Sequence, residues 1–255
     1  MPSTDLQNTV ALVTGASSGI GEAAAKALAE KGAAVALVAR RKDRLESLKA
    51  EIEAAGGTAL VVVADIAERE QAQAAVAETV KELGRLDILI NNAGMMLLGP
   101  IADAPIDEWD KMVNINLLGL FYTAKAALPH LLEAAEDGPR QVADMINISS
   151  VAGRVARNGS GVYNATKHGV GAFSESLRQE VTQRQVRIAL VEPGAVSTEL
   201  VEHNREEMRE AIEERLADMG RLEASDIADA IVYVVTRPSH VAVNEVLIRP
   251  TQQQA

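Results

Sequence analysis

Tyr163 stands four residues ahead of Lys167 in the stretch SGVYNATKHG, in a chain of 255 residues that holds only three tyrosines. On a helix, positions i and i+4 share a face, so the two side chains point the same way. In water a phenol titrates near about 10 and an ammonium near about 10.4. A neighbouring ammonium favours the phenolate and lowers the tyrosine pKa, which lets a tyrosine exchange a proton near neutral pH. Alone, the spacing also fits an ordinary helix surface. What singles it out is the company: NISS ends an apolar run with Ser149 and Ser150, at a carboxyl edge where open α/β sheets bind ligands.

A second candidate site lies near the start. In VTGASSGIGEAAAKAL the glycines Gly15, Gly19 and Gly21 follow a short apolar run and open a helical segment. The spacing is neither the strict G-x-G-x-x-G nor a P-loop, but the physics is shared. Glycine permits unusual φ and close backbone approach, and a helix N-terminus presents unpaired N–H groups to a phosphate. A carboxylate roughly 20 residues further on would bind a ribose 2′-hydroxyl. That place holds Ala39, followed by Arg40 and Arg41, so nothing repels a 2′-phosphate and two guanidiniums can pair with it. NADP(H) is the expected cofactor.

Positioning these residues requires a sheet. Apolar runs at 9–15, 33–40, 58–65, 86–94, 143–150, 186–194 and 244–250 alternate with helical segments near 19–31, 42–55, 68–83, 108–136, 162–183 and 225–236. Near-continuous apolar strands suit a parallel sheet covered on both faces. The alternation predicts a single α/β domain over 1–255, a Rossmann-like doubly wound fold with a seven-stranded parallel sheet. An acidic helical stretch interrupts the pattern as an insertion at about 197–222, placed to cover a substrate as a lid.

Composition narrows the function. Hydrophobic residues make up 47% and aromatics 2%, so the core is aliphatic. The net charge of −11 argues against nucleic acid as a partner. The absence of cysteine removes disulfides and thiolate catalysis, and no cluster has metal-ligand spacing. The first residues lack a signal-peptide pattern and no apolar run reaches the roughly 18 residues of a spanning helix, so a cytoplasmic protein without a membrane partner is expected.

In order along nearly the whole chain, TGASSGIG, Asp65, NNAG, NINLLG, NISS, YNATK and EPGAVST resemble the short-chain dehydrogenase/reductases. The 13-residue Ser–Tyr spacing usual in that family selects Ser150, and Asn116 matches its asparagine. The resemblance implies a catalytic tetrad of Asn116, Ser150, Tyr163 and Lys167. Tyr163 would be the general acid toward a carbonyl or the base toward an alcohol, while Lys167 would lower its pKa and bind nicotinamide ribose. Ser150 would hold the substrate oxygen, and Asn116 a helix distortion and a water linking Lys167 to solvent. It also implies cofactor contacts from Gly15, Ser17, Ser18, Gly19, Ile20, Gly21, Arg40 and Arg41. Asp65 and Ile66 would lie at the adenine, with Asn92, Ala93 and Gly94 along the cofactor. Pro193, Gly194, Val196 and Thr198 would hold the nicotinamide end. NNAGMMLLGPI, SSVAGRVARN and EVLIRPT are similar to clavulanate dehydrogenases, and NADP-dependent 3-hydroxy-acid dehydrogenases share parts of the pattern.

The expected activity is hydride transfer between NADP(H) and a small-molecule aldehyde, ketone or alcohol. The other reading is a catalytically silent NADP(H)-binding regulator on the same fold. Met95 and Met96 would supply an adaptable apolar substrate wall. Arg154 or Arg157 would bind a substrate carboxylate. The family likeness implies a homotetramer, or a dimer, through the segments 108–136 and 162–183.

Overall fold

The computed structural model describes residues 6–216 and 219–254. The first five residues, and 217–218 of the expected insertion, lie outside them. The seven apolar runs form strands Val10–Thr14 (β1), Ala34–Ala39 (β2), Thr58–Val63 (β3), Ile88–Asn91 (β4), Ala143–Ile148 (β5), Val186–Pro193 (β6) and Glu245–Ile248 (β7). All neighbours pair in parallel in the order β3-β2-β1-β4-β5-β6-β7. Every residue of β1, β5 and β6 is buried, as a sheet covered on both faces requires, whereas the edge strand β7 leaves Leu247 exposed.

The covering helices are Gly19–Glu30 (α1), Lys42–Ala54 (α2), Arg69–Leu83 (α3), Ile106–Val113 (α4), Leu120–Asp137 (α5), Gly161–Val181 (α6), Glu206–Leu216 (α7) and Ala224–Val235 (α8). Leu28, Leu45, Ile52 and Ile231, from α1, α2 and α8, pack on one face of the sheet. Val76, Leu131, Leu177 and Val181, from α3, α5 and α6, pack on the other. The cores are built from Ala, Val, Leu and Ile, as the scarcity of aromatics demands. Among the described residues no helix is long and apolar enough to cross a membrane.

Two departures from the sequence pattern shape the cleft. The expected helix over 108–136 is two helices joined by a π-helical turn, Asn114–Gly119. The wider turn inserts an extra residue into the helix, as such turns often do at functional positions. It brings Asn116 inward to 2% exposure, and Gly119 packs where a Cβ would stand 3.0 Å from the Ile66 carbonyl oxygen. The second departure is early strand ends. The runs 86–94 and 143–150 leave the ladder after Asn91 and Ile148, so NAG and Ser149-Ser150 bend into the crevice. That crevice lies at the carboxyl ends of β1 and β4, where the sheet reverses its direction of growth.

Candidate active site

A cavity of about 780 Å³ runs from the glycine turn to the flap over 196–216 and to Met219. On its floor Tyr163 and Lys167, one helical turn apart on α6, are 6% exposed each, with the ammonium 5.9 Å from the ring centroid. Lys167 Nζ donates to the Ile148 carbonyl at 2.9 Å. Ser150, at the tip of β5, hydrogen-bonds with Tyr163. Ser149 instead turns inward and donates to the Lys167 carbonyl at 3.1 Å. The structure therefore separates the two serines as the 13-residue spacing does. Asn116 lies beneath the cavity: its Oδ1 accepts from Met95 N at 2.7 Å, and its Nδ2 donates to Met95 O and to Thr166 Oγ1. The π-turn and Asn116 thus fix the backbone that carries Gly94 past Lys167.

The electrostatics of the pair are dominated by burial. Burial pushes the Tyr163 phenol up, and the Ser150 hydrogen bond pulls it down less strongly. Burial also brings Lys167 down, to about 8. Desolvation penalises both charged forms, so a neutral phenol is the resting form and a ready proton donor.

The other end of the cavity is built for an anion. Gly15 and Gly19 adopt φ of +66° and +59°, and a Cβ at Gly15 would stand 2.9 Å from Ala93 Cα. Ser17, Ser18 and Ile20 line the cavity beside them. Gly21 does not line it. A Cβ there would stand 2.3 Å from the Gly15 carbonyl oxygen, so Gly21 lets α1 pack under the turn. Asn92 Nδ2 donates to Thr14 O at 2.9 Å and ties this turn to β4. Arg41 Nε and Nη2 donate to Ser17 Oγ at 3.1 and 2.9 Å, and Nη2 donates to Ser18 Oγ at 2.7 Å. Arg40 faces the other way, 3.5 Å from Asp65 Oδ2, and Asp65 Oδ1 accepts from Ala67 N. Ala39 is buried and offers no carboxylate. Asp65, Ile66, Asn92, Ala93 and Gly94 line the cavity between the ends.

At the substrate end the lining includes Met95, Met96, Leu98, Arg157, Pro193, Gly194, Val196 and Thr198. Arg154 is a correction. Its guanidinium is held by Glu192 Oε1 and Oε2 at 2.9 Å from Nε, and also by Glu245. Glu192 is 2% exposed and needs a cation, so Arg154 braces the Ser150 loop against β6 and does not line the cavity. The described part of the insertion contributes Glu199, Leu200, Val201, His203, Ile212, Leu216 and Met219 to the cavity lining. Sequence reasoning missed its anchor, Asn204. This buried side chain donates to Met96 O and accepts from Leu98 N at 2.7 Å, stitching the flap to the apolar wall. It also missed Gln253, whose Oε1 accepts from Ala195 N at the root of the flap. No cluster of metal ligands is present among the described residues.

The model of the short chain dehydrogenase family matches residues 9–209. An uncharacterized oxidoreductase of Staphylococcus aureus is 38% identical over 247 residues, covering 97% of this chain and 99% of that protein. The closed form of a serine dehydrogenase complexed with NADP+ superposes with a TM-score of 0.88 at 32% identity, covering 97% of each chain. An alcohol dehydrogenase from the archaeon Thermococcus sibiricus, complexed with 5-hydroxy-NADP, gives 0.85 at 29% identity over 97% of this chain and 98% of that one. A glycine-turn Rossmann-like sheet carrying Ser150, Tyr163 and Lys167 on one cleft floor, together with these likenesses, places the chain in the short-chain dehydrogenase family of oxidoreductases.

Proposed function

We propose that the protein is an NADP(H)-dependent carbonyl reductase or alcohol dehydrogenase. The observation that carries this is the convergence of Ser150, Tyr163 and Lys167 on the floor of a cavity whose far end is an arginine-serine anion site. The residues fit the cofactor: glycines where a Cβ would collide, serine hydroxyls and Arg41 for a phosphate, and no acid at position 39. NADP-bound structures among the similar proteins support the same reading. When bound, NADP(H) supplies or accepts the hydride.

The chain's own residues handle the oxygen and the proton. Ser150 donates a hydrogen bond to the substrate oxygen and orients it toward the Tyr163 hydroxyl. Tyr163, kept neutral by burial, gives its proton to the oxygen as a carbonyl is reduced, and takes one from an alcohol in the reverse direction. Lys167 stabilises the phenolate left behind by placing an ammonium beside it. Met95, Met96 and the flap exclude water from the reacting carbon, and Arg157 receives a carboxylate on the substrate.

Replacing Tyr163 by Phe tests this. The variant is expected to bind NADPH with wild-type affinity in a titration and to lose about 10²–10⁴ in turnover of a screened aldehyde or ketone. Wild-type rates in that variant would remove Tyr163 from the chemistry. A silent wild type across aldehydes, ketones and β-keto acids would favour a regulator that only binds the nucleotide.

A further inference from the structure

The arginine that faces the serines is not idle in this fold. Glu199, the residue after Thr198 at the root of the flap, reaches across the mouth of the cleft. Its Oε2 accepts from Arg41 Nη1 at 2.9 Å, and its Oε1 accepts from Arg44 Nη1. Arg41 is the N-cap of α2 and Arg44 lies on its first turn, so one carboxylate ties the flap to the far side of the anion site, 158 residues away in sequence. The two hydrogen bonds hold the Glu199 carboxyl at about 2, so it is ionised at any working pH. Arg41 divides its donors between the two groups: Nε and Nη2 go to the serine hydroxyls, and Nη1 goes to Glu199. A phosphomonoester arriving at this edge needs those donors and meets a fixed negative charge beside them.

We propose that Glu199 is a specificity-determining latch: its carboxylate occupies the place of the cofactor's 2′-phosphate, and a 2′-phosphorylated nucleotide must displace it, freeing the flap from α2. This rests on the NADP(H) reading of the same site. The swap conserves charge pairing, since Arg41 and Arg44 exchange a carboxylate for a dianionic phosphate with more acceptor oxygens. A nucleotide with a free 2′-hydroxyl carries no group able to take both guanidiniums, so it binds with the latch closed. Glu199 thus couples the identity of the cofactor to the freedom of the segment over the substrate. The coupling is bounded by what a partly exposed pair is worth, since the Arg41, Glu199 and Arg44 side chains are 40%, 32% and 45% exposed.

Calorimetric titration of wild type and Glu199→Gln with NADPH and with NADH tests the latch. Glu199→Gln is expected to bind NADPH about fivefold more tightly, because the competitor and its repulsion are both gone, with NADH affinity unchanged. Weaker NADPH binding would make Glu199 a clasp over the bound cofactor, and an equal shift for both nucleotides would make it a structural brace. Either overturns the latch. Wild type that binds NADPH, with no gain in Glu199→Gln, overturns the latch and leaves the cofactor reading standing; wild type that binds no NADPH overturns both. Hydrogen exchange gives a second readout. Amides of 199–216 in wild type are expected to exchange faster with NADPH bound than with NADH bound, and equal protection in the two complexes counts against displacement.

Discussion

Strand β5 meets a buried charge at each end, and the two ends are treated in opposite ways. At its start, Asp144 is fully buried and saturated. Arg187 donates to it at 2.7 and 2.9 Å and Arg140 at 2.6 Å, while the rest of the Arg187 guanidinium is spent on the carbonyls of Val235, Arg237, Pro238 and Val241. At its other end, Lys167 is also buried, donates to the Ile148 carbonyl, and forms no ion pair among the described residues. The paired end ties β5 to β6 and to the carbonyls that end and follow α8. The unpaired end keeps a charge for which the proposed mechanism supplies a partner, the Tyr163 phenolate formed during the reaction. On the proposed mechanism, the difference assigns one end to stability and the other to chemistry.

The contrast breaks first at Asp144. Asp144→Asn leaves Arg187 and Arg140 buried around a neutral group. The loss of one partner from such a network costs about 3–5 kcal/mol, which denaturant titration will show as a lower midpoint. Turnover per folded molecule is expected to stay at the wild-type level, since the β5 strand from Asp144 to Ile148, roughly 13 Å, and the bend beyond it separate Asp144 from Ser150. A stability loss below about 1 kcal/mol would put this buried network in the class of surface pairs and void the comparison.

At the other end Lys167→Met is expected to act in the opposite sense, stabilising the fold while abolishing turnover. The native lysine titrates at about 8 and the unfolded one at the ordinary 10.5. Between those values the unfolded chain binds more protons, so this residue's contribution to stability rises with pH over that window. Its penalty is in full force below about 8. Tyr163, raised above its usual 10, contributes in the reverse direction only above that pH, so the interval from about 8 to 10 reports Lys167 alone. At pH 7 the variant should gain about 2–3 kcal/mol, and the gain should shrink as the pH approaches 10. A variant less stable than wild type at pH 7 would mean that the lysine is compensated after all.

The sequence spoke clearly where the physics is local and weakly where it is relational. Seven apolar runs became seven strands, with the glycine turn at the end of the first, because strand and turn chemistry are written in neighbouring residues. Tyr163 and Lys167 share a face for the same reason. Asn116 and a helix distortion at it are implied by the family resemblance alone, since the residues NINLLG by themselves continue a helical pattern and the wider turn packs on Ile66 and Met95. Asn204 and Glu199 gave no signal at all. Their partners, Met96 and Arg41, lie more than a hundred residues away, and a buried amide or a bridging acid looks like any other polar residue of an acidic helix.

Arg154 and Arg157 sharpen the comparison at the smallest scale, since they stand three residues apart and only one faces the cavity. Arg154 lies at the catalytic end of the sheet yet behaves like the charges at the far end, because Glu192 is buried beside it and Glu245 completes the pair. Arg154→Ala should therefore lower stability by about 1–2 kcal/mol, a figure reduced from that of a fully buried pair because the Arg154 side chain is 39% exposed. Its KM for a β-keto acid should match wild type, while Arg157→Ala should raise the KM for the acid and leave that for a neutral ketone unchanged. The two measurements separate a brace from a binding group within one loop. A raised KM for the acid in Arg154→Ala, at unaltered stability, would mean that Glu192 yields its cation to the substrate and that the catalytic end of the sheet carries no sealed pair.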